Sequence, residues 1–271
     1  MSGRQPQPAD PLLNALRWCA DSSVKLPADR EEIGRLLTVV SQLPLEDQRL
    51  RRWTITHRDD PVGPLALRHM PAVLIARAEQ RTWTRPDWHN DIARRLEGQS
   101  HVTRGTDAED EIVTTRPERL TDQADHLSVG DYIVLDALIR SLDDRRVVAA
   151  LFKQADADLI DPSTEHGGVL AIDADNRVNA RAFEPMLKQH DRVYFASDAC
   201  VRAMHTGLAH YHFHAQRHDN AVWAGPGKGD LGFADRLHAN CVVFTFIDRN
   251  TLNADAYFPG GIIVDLGCIT R

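Results

Sequence analysis

Along the first hundred residues the apolar positions recur with the 3.6-residue period of amphipathic helices. In DPLLNALRWCADS, Leu12, Leu13, Leu16 and Cys19 fall near helical spacing, with Asp10 placed to cap the helix and Pro11 in its first turn. ADREEIGRLLTVVSQL follows, with Ile33, Leu36, Leu37, Val40 and Leu43 as its stripe and Pro44 closing it. GPLALRHMPAVLIARAEQRTW reads as helix, break, helix, because Pro71 interrupts it. PDWHNDIARRLEG predicts a short helix ended by Gly98. Nothing here alternates with period two and no repeat is visible, so residues 1–100 are expected to form a small, mainly helical unit. Trp53, Trp83 and Trp88 belong to its core or an interface on this reading, rather than to a stacking cage for a ligand.

From Gln99 to about Ser128 the chain is polar, with the acidic run DAEDE and few apolar anchors, which predicts a linker or crossing segment over 101–127. The pattern changes at residue 128. VGDYIVLDALIRSLDDRRVVAALFKQ predicts a helix with Ile133, Leu135, Leu138, Ile139 and Leu142 favouring one face. GGVLAID and RVYFAS are strand-like, with a turn-prone DADNR after the first, and SDACVRAMH is a short helix. GDLGFADRLH is helical, CVVFTFID is a strand, and NADAYF and GIIVDLG form a strand pair joined at PGG. Helices and strands in this order predict an α/β or α+β layer over 128–271.

Composition narrows the class. At 271 residues, 42% hydrophobic and 26% charged, the chain is ordinary for a globular protein of one large or two small domains. No window approaches about 18 uninterrupted apolar residues, and MSGRQPQPADP has no apolar signal core, so no membrane span and a cytoplasmic location are expected. Cys19, Cys200, Cys241 and Cys268 lie far apart without a CxxC pair, as reduced and mostly buried thiols would. Charge is uneven: residues 1–100 hold 15 Lys and Arg against 13 Asp and Glu, residues 101–271 hold 17 against 26. The overall −7 argues against nucleic-acid binding, and the shift in composition suggests two units.

The chemistry is concentrated in AHYHFHAQRHDN. His210, His212 and His214 are spaced by two, so a strand sends three imidazoles to one face and Tyr211 and Phe213 to the other. A hydrolytic zinc site needs about three protein ligands, an open position for water and a nearby base. His212 and His214 supply two nitrogens. Asp230 is placed to supply a carboxylate, where the glycine-rich GPGKGD turns into a helix and free backbone N–H groups favour negative charge. Glu165, ahead of two glycines at the entrance to a strand, is placed to act as base.

A Glu before a glycine-rich apolar strand, then H-x-H on a later strand, then an Asp opening a helix resembles the JAMM/MPN metalloprotease family. The resemblance covers residues 128–271 and implies a mixed sheet flanked by helices, Zn²⁺ held by His212, His214 and Asp230, and Glu165 as general base. It also implies zinc-dependent hydrolysis of a peptide or isopeptide bond, with a protein or peptide as substrate. The N-terminal helical unit would then bind that substrate or a partner. His210 is the extra histidine, one strand step in, a second-shell partner of the metal ligands or a core residue, and His205, His218 and His238 are expected at the surface.

Two departures stand against the family pattern of H-x-H, seven residues, Ser, two residues, Asp. The stretch from His214 to Asp230 is five residues longer, an enlarged loop carrying His218, Asp219 and Trp223, and the serine position falls on Gly227. A single oxyanion donor contributes roughly 10²–10³ in rate. Backbone N–H groups of GPGKG, or Lys228, are the substitutes this chain offers. The alternative is a catalytically degenerate scaffold or protein-binding module of the same fold. GPGKGD lacks GxxxxGK[ST], so it is a poor phosphate loop. A cupin or amidohydrolase also fits poorly: no glutamate follows at cupin spacing, and the 57 residues beyond His214 are too few to complete a barrel.

Overall fold

The computed structural model describes residues 10–43, 48–102 and 118–271. Among them are ten α-helices and a six-stranded mixed sheet. Helix α1 (Pro11–Asp21) starts as the sequence predicts: the Asp10 carboxylate accepts from the Leu12 and Leu13 N–H groups, and Pro11 needs no partner at the first position. Helix α2 (Arg30–Gln42) is capped by Asp29, and Pro44, its expected stop, lies outside the described residues. Helix α3 (Gln48–Thr56) was not expected. Pro71 begins a helix instead of breaking one: a 3₁₀ turn (Leu67–His69) runs into α4 (Met70–Ala78), where Pro71 occupies the first turn and its missing N–H is harmless. Helix α5 (Arg85–Leu96) is closed at its start by a Thr84–Asp87 capping box. Trp53 and Trp88 are buried, and Trp83 is half-buried against Trp88, with the Arg81 guanidinium over both rings. The acidic run DAEDE lies outside the described residues; a short helix, α6 (Leu120–Gln123), follows it.

The long helix expected after residue 128 is two helices, α7 (Val129–Leu142) and α8 (Arg145–Ile160). The Asp144 carboxylate accepts from the Arg146 N–H and starts a new helix where the apolar stripe gave no sign of a break. Helix α7 is buried on nearly every side. Strand β1 (Gly167–Ile172) pairs with β2 (Val178–Phe183), not with RVYFAS, whose residues form a loop. That correction has a physical basis. VNARAF is an edge strand with largely exposed side chains, and its alanines and arginine leave it few of the β-branched and aromatic residues that mark a strand.

Helix α9 (Asp198–Met204) leads into β3 (Ala209–His214), and α10 (Lys228–Leu237) connects β3 to β4 (Cys241–Asp248), with β5 (Thr251–Phe258) and β6 (Ile262–Thr270) following as a meander. The order is β2-β1-β3-β4-β5-β6, antiparallel except for β3 beside β4. One face of the sheet carries Tyr211, Phe213, Phe244, Phe246 and Phe258 into a large core shared with α7, α8 and the helices of residues 10–100. The other face packs a smaller cluster, including Val169, Val243 and Tyr257, under α9 and α10. The three histidines of β3 lie on this second face.

Residues 10–43 brace that second layer. The buried Arg35 of α2 donates to the Met204 and Leu237 carbonyls at the C-terminal ends of α9 and α10. His205, expected at the surface, is instead buried between Thr38 (3.2 Å) and Glu31 (3.1 Å) of α2. His238 is half-buried, 2.6 Å from Asp29, and His218 is half-buried against the Phe246 ring. The cysteines are free, three of them buried. No described helix is long and apolar enough to cross a membrane.

Candidate metal centre

Strand β3 lies third in the sheet, between Gly167–Leu170 of β1 and Cys241–Thr245 of β4. This pairing fixes the histidine register. Gly168 allows the close packing of β1: a Cβ there would lie 2.1 Å from the Arg181 carbonyl oxygen. Glu165, two residues before β1, is buried next to the His212 and His214 end of β3. One carboxylate oxygen of Glu165 and one ring nitrogen each of His212 and His214 lie within 4.8 Å of one another. Asp230, in the first turn of α10, comes from the opposite side: Oδ1 is 3.3 Å from His212 Nε2, and Oδ2 is 3.8 Å from His214 Nε2. The fold thus brings together all four residues singled out in the sequence, 165, 212, 214 and 230.

The ring orientations are set from behind. His214 Nδ1 is 2.8 Å from the Trp223 carbonyl, which can only accept, so Nδ1 carries a proton and Nε2 is the nitrogen turned toward Asp230. His212 Nδ1 faces the Tyr257 hydroxyl at 3.5 Å. His212 Nε2 is buried and has no hydrogen-bond partner, because the approach of Asp230 is close enough for an ion pair but not aligned as a hydrogen bond.

Electrostatics follow from the crowding of charge. Burial alone would lower the His212 imidazole, but Asp230, with Glu165 and Asp158 beyond it, outweighs burial and pushes it up to about 9. Burial, reinforced by Asp230 and Asp158, pushes the Glu165 carboxyl up to about 8 against the pull of His212. Asp230 is half-buried and partly desolvated, yet His212, His214 and the Gly227 N–H hold it well below the usual carboxylate range. Asp158 of α8 is pushed up to about 8, chiefly by burial. One environment thus holds a proton-binding glutamate beside an ionised aspartate.

The remaining expected residues take other positions. Gly227 caps α10 at φ −80°, a conformation open to any residue, and its N–H donates to Asp230 Oδ2 at 2.7 Å. That donor is therefore engaged. Lys228 is exposed and lines the adjoining cavity. His210 is buried; its Nδ1 donates to the Gly168 carbonyl at 2.9 Å, and its ring lies 6.0 Å from that of His212. Burial lowers its imidazole to about 3.

Sequence spacing missed the groups that hold the site. Gln216 Nε2 donates to Glu165 Oε1 at 3.2 Å and also to the Asp191 carbonyl, while Gln216 Oε1 accepts from Asn220 at 2.9 Å. Asn220 in turn donates to the His214 carbonyl. Gln216, Asn220 and Trp223 all belong to the enlarged loop between H-x-H and Asp230, so its extra length was the available signal. Tyr257 is a face position of β5 with no chemical motif, and Asp158 sits in a helix whose other charges are solvated. The four converging residues line one wall of a cavity of about 1020 Å³. Comparisons of the chain with protein-family models, curated proteins and solved structures return no match.

Proposed function

We propose that the chain is a JAMM/MPN-like, zinc-dependent hydrolase of peptide or isopeptide bonds, with Glu165 as the general base. The observation that carries this reading is the convergence of Glu165, His212, His214 and Asp230 on the lining of a large cavity, with the buried His212 Nε2 3.3 Å from Asp230 Oδ1. Two imidazoles and a carboxylate form a donor set suited to zinc and poorly suited to magnesium or calcium. The residues therefore fit the ion. His212, His214 and Asp230 would hold it, and when bound it supplies Lewis-acid polarisation and a lowered pKa for water.

The protein's own groups do the rest. Glu165, at the rim of the triad, is placed to act as a carboxylate that accepts a proton from the attacking water and delivers it to the leaving amine. Gln216 aims the Glu165 carboxylate, and the Trp223 carbonyl fixes the His214 tautomer.

Purified protein is expected to contain close to one zinc per chain by mass spectrometry of metals. His212→Ala and His214→Ala should each empty the site, and full zinc retention in both overturns the ligand assignment. Glu165→Gln should keep zinc while abolishing hydrolysis, because a carboxamide is nearly isosteric yet cannot take the proton. A fall in zinc affinity in that variant would make Glu165 a ligand, as its distance to both histidines also permits. One observation favours the second reading, a degenerate scaffold: the oxyanion serine is Gly227, and the Gly227 N–H is already taken by Asp230. Zinc retention with no hydrolysis of any peptide or isopeptide would select the scaffold.

A further inference from the structure

The end of the cavity away from Glu165 has a different chemistry. On β3 the His210 ring stacks on Tyr194 at 5.5 Å and tilts against Phe233 at 4.9 Å, with Leu237 of α10 lining the same cavity. Tyr194, Phe233 and Leu237 pack on the apolar cluster under α9 and α10, yet each is only half-buried. Their open surface is the cavity wall. The His210 and His212 rings are 6.0 Å apart, so this aromatic wall begins one strand step from the metal centre. Successive Cα atoms are about 3.8 Å apart, so the side chain next to a carbonyl held at His212 can reach the His210 end.

Charged side chains rim the whole cavity. Glu165 and Asp230 belong to the metal-capable end, and Asp191, Arg192, Arg217 and Lys228 line the same cavity. At the aromatic end stands the exposed Arg236, its guanidinium 5.9 Å from the centre of the Phe233 ring.

We propose that this end is the side-chain subsite of the substrate. It takes a large apolar or aromatic side chain from the residue adjoining the bond that is cut, in a peptide that carries a carboxylate next to that residue. The aromatic wall desolvates the side chain, and Arg236 faces the carboxylate. The assignment of the cut bond rests on the hydrolase reading above, whereas binding does not.

The test uses full-length, zinc-loaded Glu165→Gln protein titrated by calorimetry with Ac-Gly-Xaa-Asp-NH₂, where Xaa is Phe, Leu, Ala or Lys. Phe and Leu are expected to bind at least about tenfold more tightly than Ala or Lys. Ac-Gly-Phe-Asn-NH₂ should bind about threefold more weakly than its Asp counterpart. Ac-Gly-Phe with a free C-terminus distinguishes a terminal carboxylate from an acidic side chain. Phe233→Ala should erase the preference for Phe over Ala, as should Leu237→Ser in part, with folding checked by circular dichroism. The variant Arg236→Glu should erase the preference for Asp over Asn. Equal affinity across Xaa, absence of binding, or preferences that survive these substitutions overturns the subsite. Wild-type protein is then incubated with the same peptides and followed by mass spectrometry. Selective binding without cleavage keeps the subsite and overturns the hydrolase reading; cleavage indifferent to Xaa does the reverse.

Discussion

At Gln216 one amide decides where the Glu165 carboxylate points. Asn220 occupies the Gln216 oxygen, so the NH₂ group must face Glu165 and the Asp191 carbonyl. Gln216→Ala removes the donor without touching a metal-capable atom. Turnover should fall by about 10- to 100-fold with zinc content unchanged, the range found for groups that orient ligands and bases. Loss of zinc in step with activity would show that Gln216 only supports the fold. Gly227 gives the opposite test. Its φ of −80° suits serine, and a serine cap contributes a few tenths of a kcal/mol more than glycine to α10. Gly227→Ser should therefore fold at least as stably by urea titration and raise the hydrolytic rate. At this scale the sequence showed the chemical groups but not the groups that hold them. His212, His214, Asp230 and Glu165 stand out because metal and proton chemistry restricts residue type and spacing. Gln216, Asn220 and Tyr257 act through position alone, which has no period to read.

Among the elements, amphipathic helices and apolar central strands were legible because one face of each must be buried, and burial leaves a period in the sequence. Besides helix α3, whose arginine-rich stretch shows a weak apolar stripe, two features escaped. The edge strand β2 buries little and shows little, and the α7–α8 break depends on a local Asp144 hydrogen bond rather than on hydrophobic pattern. Helix α7 shows how tightly the buried elements fit. Asp131 near its start takes hydrogen bonds from Ser128, pairs with Arg68 at 2.7 Å and lies 3.3 Å from His69. The His69 ring fills the space over Gly130, where a Cβ would fall 1.9 Å from Nδ1. Gly130→Ala should force the ring away from Asp131 and cost about 3 kcal/mol or more in urea denaturation, as overpacking and a broken buried network combine. A loss under about 1 kcal/mol would mean that the helix shifts freely.

For the whole molecule, the same network makes one definable contribution to the response to acid. His69 Nδ1 accepts the Ala66 N–H and Nε2 donates to Asp131, so the buried ring is neutral, and burial with the nearby Arg68 lowers it to about 4. Its ordinary value is about 6.5, so between those values the unfolded chain binds the proton and the folded chain does not. The His69 contribution to stability should be complete above about pH 6.5 and decline by roughly 3 kcal/mol as pH falls to about 4, while Glu165 and Asp158, with raised carboxyls, act in the opposite direction. The difference in urea midpoint between the wild-type chain and His69→Gln, measured between pH 7.5 and 4.5, isolates this contribution, the wild type losing stability relative to the variant as pH falls. Arg35 links distant parts of the chain: Arg35→Ala leaves two helix-end carbonyls without their donor and should destabilise by about 2–4 kcal/mol. The strand order also bears on how the chain reaches this state. β1 with β2, and β4 with β5 and β6, are local antiparallel units that can form early, whereas β3 must enter between them and align parallel to β4 through the α10 crossover. The histidines therefore meet Glu165 and Asp230 only when the two halves of the sheet are joined. During refolding, zinc capture should lag behind amide protection in the β4–β6 meander, so the metal would report the final closure of the sheet and not its beginning.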